Sequence, residues 1–261
     1  MPKGSPKPKV ALLLHGGTFS GPTDFDIQTP AKDASLMDYL ARKGFDVFTL
    51  DIRGYGRSDK PKDGFSVTTE AGVRDLAAAI EAICALRGVD SLYLLGWSWG
   101  AAVAAIYATR KPERLRRLVL FAGGIGGKPL TPRPAPKSDW STTKREDVMA
   151  RIEQDVIISE AQEAFLKAAL RWDKVTSLGP ANEMFLNIAP APDPEKIVTP
   201  TLIIYGARDV TYHPERVIGL FANLKTPDKS FILVPNAGHF LLIQKPRPRL
   251  FEAVSDFFGL S

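Results

Sequence analysis

The chain has 261 residues, 44% of them hydrophobic and 24% charged, which suits one α/β domain with an insertion and a large core. Its net charge of +5 is scattered except at RLRR (114–117) and KPRPRLF (245–251), and neither run interleaves aromatics as a nucleic-acid surface would. No apolar run nears the roughly 18 residues of a membrane span, and a single cysteine, Cys84, excludes an internal disulfide framework or a cysteine-based zinc site.

In chain order, residues 1–8 read as a flexible basic, proline-rich tail. Apolar, β-branched-rich runs then predict buried parallel strands at 10–16, 46–51, 91–97, 117–123, 201–206 and 230–235. Helical patterns lie between most of them. DASLMDYLARKG (33–44) ends in Gly44, and TTEAGVRDLAAAIEAICALRG (68–88) starts at a Thr68 or Thr69 cap and ends at Gly88. Cys84 falls on the apolar stripe of the second. WGAAVAAIYATRKPERL (99–115) is stopped by Pro112, and PRPRLFEAVSDFFGL (246–260) closes the chain. Alternating strand and helix predicts βαβ units and a mostly parallel, doubly wound α/β sheet.

One segment, 124–197, breaks this rhythm with no strand candidate. It opens rich in Gly and Pro. Two amphipathic helices follow, KREDVMARIEQDVI (144–157) and SEAQEAFLKAALRW (159–172), the second with a capping-box pattern at Ser159 and Gln162. The expected organisation is a core in two parts, 9–123 and 198–261, with a small, mainly helical cap between them. A cap at the carboxyl ends of the strands would roof a ligand site.

GWSWG (96–100) places Ser98 between a strong strand and a helix of small residues, GAAVAA. Such a strand-to-helix elbow strains its central residue and projects the side chain outward. Serine needs a base, and the base an orienting acid. Of three histidines, His239 in NAGHF follows the last strand and is the candidate base. His15 sits in the loop after the first strand, where it would tie the loop down, and His213 precedes a helix. Asp209, three residues past Gly206, is the candidate acid, because no carboxylate follows the 117–123 strand before Asp139. The oxyanion donors would be the backbone N–H groups of Trp99 and Gly17, with Thr18 as runner-up for the second.

The set HGG (15–17), DIRGYGRSDKP (51–61), GWSWG, GARD (206–209) and NAGHF (236–240) resembles the α/β-hydrolase superfamily over nearly the whole chain outside the cap. The resemblance implies that fold and a Ser–His–Asp triad of Ser98, His239 and Asp209. It implies a structural role for Asp51, Arg53, Gly54 and Gly56. Members that cleave haloalkanes or epoxides carry Asp at the nucleophile position, so Ser98 argues against both. Members that cleave carbon–carbon bonds in ring-fission products often have a Trp soon after the histidine, where this chain has HFLLIQKP.

The expected activity is hydrolysis of a small to medium, largely apolar carboxylic ester or lactone through an acyl-enzyme, with no metal or cofactor. Thr18, Phe19, Trp140, Phe165, Trp172, Phe185 and Phe240 are expected to line the pocket with the Trp99 ring, while Trp97 packs beside the triad. The same triad would serve an acyltransferase, a lyase or a slow-turnover small-molecule-binding protein. A cytoplasmic monomer or homodimer with no nucleic-acid partner and no membrane span completes the expectation.

Overall fold

A computed structural model describes residues 7–123, 135–211 and 214–260. His213 and the opening of the insertion, 124–134, lie outside the described residues, as do residues 1–6 of the expected tail. The strands are β1 (Lys9–Leu14), β2 (Phe45–Leu50), β3 (Leu92–Trp97), β4 (Leu115–Phe121), β5 (Trp140–Thr142), β6 (Val175–Ser177), β7 (Thr201–Gly206) and β8 (Lys229–Val234). The helices are α1 (Gly21–Phe25), α2 (Leu36–Arg42), α3 (Thr69–Arg87), α4 (Trp99–Arg110), α5 (Arg145–Met149), α6 (Ser159–Trp172), α7 (Gly179–Leu186), α8 (Pro214–Asn223) and α9 (Arg247–Gly259).

Six strands form one parallel sheet in the order β2-β1-β3-β4-β7-β8. Side chains alternate across a strand, so each run of apolar residues feeds two cores. Val10, Leu12 and Leu14 of β1 join the layer of α3, α4 and α8. Ala11 and Leu13 join that of α2, α6 and α9. The helix ends follow local chemistry. The Thr68 side chain accepts from the Ala71 N–H, and Gly88 leaves α3 with φ +64°. α4 ends at Arg110, ahead of Pro112. Cys84 is buried in the α3 layer.

The sheet reverses its winding between β1 and β3, which pair with Leu14 opposite Gly96. The carboxyl ends of these strands therefore meet at the topological switch point, where open α/β sheets form their crevice.

The segment between β4 and β7 departs from expectation in three ways. β5 and β6 form a two-stranded antiparallel sheet where no strand was expected, because three-residue strands of Ser, Thr, Val and Trp are too short to show a period. The helix expected over 144–157 stops at Met149, and the chain then turns toward the His239 loop. The capping box at Ser159 does not form. Ile158 is the N-cap, Ser159 is already helical, and no side chain caps α6.

Candidate active site

Ser98 sits between β3 and α4 with φ 56° and ψ −120°, a conformation that costs a non-glycine residue about 1–3 kcal/mol. The surroundings hold it there. Its N–H donates to the Phe121 carbonyl at 2.9 Å, and its own carbonyl accepts from the Ala101 N–H at 3.1 Å. A Cβ on Gly96 would strike the Gly100 carbonyl, and one on Gly100 would strike the His15 carbonyl. The two glycines thus let β3, α4 and the β1 loop meet at one point.

β7 and β8 deliver the other two groups. The Ser98 Oγ lies 2.9 Å from His239 Nε2, and His239 Nδ1 lies 2.8 Å from an Asp209 carboxylate oxygen. With Nδ1–H donating to the carboxylate, Nε2 is left as the acceptor facing the serine hydroxyl. Asp209 is buried. Burial alone would raise its pKa, but the charge and hydrogen bond of His239, with donors from Thr211, hold the carboxyl below its ordinary range. The loop before His239 turns at Asn236, with φ 55°. Trp97 packs beside the imidazole, 5.4 Å between ring centroids, and its indole N–H donates to the His239 carbonyl.

On the β1 side, His15 is fully buried. The Ile52 N–H donates to its Nε2 at 2.9 Å, and its Nδ1 lies 2.6 Å from the Gly16 carbonyl. With Nε2 accepting the Ile52 N–H, the ring carries its proton on Nδ1 and ties the loop to the residues after β2, and burial lowers its pKa. The Gly16 N–H already donates to Asp24 at 3.2 Å. Among the described residues, the Gly17 and Trp99 N–H groups have no acceptor.

A cavity of about 270 Å³ opens over Ser98, lined in part by Thr18, Phe19, Phe240 and His239. Four of the expected lining aromatics lie elsewhere. Phe165 is buried behind the wall, edge-on to Phe19 and Phe240. Trp140 packs against Gly64, Trp172 lies beneath the guanidiniums of Arg57 and Arg171, and Phe185 is exposed. Leu178, Pro180 and Met184 occupy the wall instead, together with Arg151 and Glu153. Trp99 borders the cavity, but its ring is buried in the core, with the indole N–H donating to Thr69 Oγ and the far edge against Gly72. In a sequence, an aromatic on the apolar stripe of a helix marks burial without saying on which side of the wall.

Sequence patterning missed the acidic residues that hold the site. Glu153 accepts the His239 backbone N–H at 3.0 Å and the Gln244 side-chain amide at 2.7 Å. Gln244 in turn accepts the Gly238 N–H. Glu183 of α7 accepts both the N–H and the hydroxyl of Thr69. Charged residues in amphipathic helices read as solvent-facing, and no motif singled these two out.

The family model described as "Serine aminopeptidase, S33" matches residues 31–246, a span that contains Ser98, Asp209 and His239. This chain belongs to that family of α/β-hydrolases. The S33-family chain is 24% identical over 255 residues to 2-hydroxy-6-oxononadienedioate/2-hydroxy-6-oxononatrienedioate hydrolase 2 of Pseudomonas putida, covering 92% of this chain and 84% of the relative. It is 33% identical over 128 residues to the corresponding hydrolase of Klebsiella pneumoniae, a match spanning 48% of this chain and 40% of that protein. Among solved structures, a serine hydrolase involved in carbazole degradation superposes with a TM-score of 0.70 at 20% identity, over 98% of this chain and 92% of that one. Among the described residues, no helix is long and apolar enough to cross a membrane, and no group of three acidic, His or Cys side chains could hold a metal ion.

Proposed function

We propose that the chain is a serine hydrolase of small to medium, largely apolar carboxylic esters or lactones, with the segment between β4 and β7 as its cap. Support comes from the line of hydrogen bonds from Asp209 through His239 to the Ser98 Oγ, open to a cavity at the switch point of the sheet. His239 removes the Ser98 proton as Oγ attacks the acyl carbon. Asp209 holds the imidazole tautomer and stabilises the imidazolium. The tetrahedral oxyanion rests on the Trp99 and Gly17 N–H groups, which fixed dipoles favour without reorganisation. Gly16 is not a donor because Asp24 has already taken its N–H. His239 then protonates the leaving alcohol, and a water activated by the same histidine releases the acid.

A cavity of this size with Leu178, Pro180 and Met184 on its wall fits short acyl chains. A series of p-nitrophenyl esters beside a lactone panel tests this, with C2–C6 acyl chains expected to give the highest kcat/KM. Preference for long chains would contradict the pocket. One observation favours a second reading. Arg151 stands on the cavity wall and adds a cation there. With the likeness to dienedioate hydrolases, it fits a carboxylate-bearing ketone cleaved at a carbon–carbon bond. Turnover of a 2-hydroxy-6-oxo-dienoate at a higher kcat/KM than any neutral ester would establish that alternative.

A further inference from the structure

Beyond the triad, one chain of hydrogen bonds runs from the segment between β4 and β7 into the elbow. Glu183 is buried on α7, a helix that also carries the wall residues Pro180 and Met184. One of its carboxylate oxygens accepts the Thr69 N–H at 2.7 Å and the Thr69 hydroxyl at 2.6 Å. Thr69 is the first residue of α3, so its N–H has no partner within the helix. A carboxylate there also complements the positive end of the helix dipole. Burial raises the Glu183 pKa against these two hydrogen bonds; as a carboxylate the group only accepts, and the single hydroxyl proton of Thr69 is then committed to it. The lone pairs of Thr69 Oγ then face the Trp99 indole N–H, 2.9 Å away. Trp99 follows the strained Ser98 directly.

The neighbouring loop is tied to the same segment. The Tyr55 hydroxyl lies 2.9 Å from the Ser177 carbonyl at the end of β6 and 3.1 Å from the Gly17 carbonyl. Gly17 and Trp99, which both line the cavity, are therefore both linked to β6–α7, one through Tyr55 and one through Thr69.

We propose that Glu183 is a positioning residue for the oxyanion site: through Thr69 it fixes the Trp99 indole, and with it the Trp99 backbone N–H beside Ser98. This rests on the assignment of Ser98 as nucleophile and Trp99 as oxyanion donor. The elbow and α4 already hold that N–H, the indole anchor adds to them, and displacement by about 1 Å costs up to about a hundredfold in rate. Glu183 touches no substrate, so its loss falls on kcat and leaves KM nearly unchanged.

The test measures kcat and KM on p-nitrophenyl butyrate for wild type, Glu183→Ala, Glu183→Gln and Thr69→Val. In parallel, 15N-tryptophan spectra are recorded, with the Trp99 indole peak assigned by its loss in Trp99→Phe. Glu183→Ala and Thr69→Val are expected to lower kcat about tenfold or more with KM within about twofold. Both should move the Trp99 indole resonance. Glu183→Gln, whose amide oxygen still accepts from Thr69, should stay within about threefold of wild type. An unchanged kcat, a loss confined to KM, or a Gln variant as poor as the Ala variant overturns the proposal. If Glu183→Ala does not fold, Thr69→Val and Glu183→Gln decide between the same outcomes. If wild type itself neither turns over ester nor reacts with a fluorophosphonate at Ser98, the nucleophile assignment has failed. The indole resonance then still reports whether the Glu183 chain positions Trp99.

Discussion

The two sides of Ser98 are held by different kinds of contact. On the β7–β8 side, Glu153 is partly buried and braces the His239 loop, while Asp155 pairs with the exposed Arg208 beside Asp209 at 2.7 Å. On the β1–β3 side the braces are buried. Asp173, at the end of α6, accepts the Ser20 N–H at 3.1 Å and the Thr23 hydroxyl at 2.6 Å. Glu183 does the same for Thr69. Exposed ion pairs are screened by salt and contribute little. Buried carboxylates with several donors are costly to strip. The segment between β4 and β7 is thus held on the β1–β3 side by buried carboxylates, and on the β7–β8 side by Glu153, by backbone bonds from the Ile158 N–H to the Ile243 carbonyl and from the Lys245 N–H to the Val156 carbonyl, and by an exposed ion pair.

Four measurements sharpen or break that contrast, from the largest expected effect to the smallest. His239→Ala should lower kcat/KM for esters by about four orders of magnitude, since both proton transfers fail. Retention of a tenth of the activity would remove the acid–base side from the mechanism. Glu153→Ala should lower kcat about tenfold by releasing the His239 loop, with Glu153→Gln milder because its amide oxygen still accepts the N–H. Equal losses in both variants would mean that charge, rather than the hydrogen bond, is what matters.

Asp24 tests the buried side through pH. Burial raises its pKa well above the ordinary value, against the hydrogen bond from Gly16, and one of its carboxylate oxygens has no partner among the described residues. A carboxyl whose pKa is higher in the folded state favours folding most below its unfolded pKa of about 3.9. That contribution is lost as pH rises through the folded value. The melting temperature of Asp24→Asn relative to wild type should therefore climb between pH 4 and pH 8, and a flat or falling difference would contradict the assignment. The smallest effect belongs to Arg208→Ala. It removes an exposed pair and should change kcat/KM by about twofold or less at about 0.15 M salt. A tenfold loss would show this exposed pair to be essential.

Much of the sheet was legible because parallel strands buried on both faces are short, dense apolar runs. The elbow was legible because Gly96 and Gly100, on either side of Ser98, stand where a Cβ would strike backbone. His239 and Asp209 followed from scarcity, there being few histidines and no competing carboxylate after β4. The segment between β4 and β7 was less legible. Its strands are too short to show a period, its first helix is cut short where Glu153 turns to the His239 loop, Phe165 packs behind the wall, and Trp172 lies under two guanidiniums. Glu153 and Glu183 stayed hidden because a carboxylate buried by a distant donor carries no local mark.

The most direct test of Ser98 as the nucleophile is mass spectrometry of the protein after brief exposure to a fluorophosphonate. A single phosphonyl adduct is expected, mapped to the peptide containing Ser98, absent in Ser98→Ala and strongly slowed in His239→Ala. An unmodified wild-type protein that still hydrolyses esters, or a Ser98→Ala variant that keeps its turnover, would contradict it.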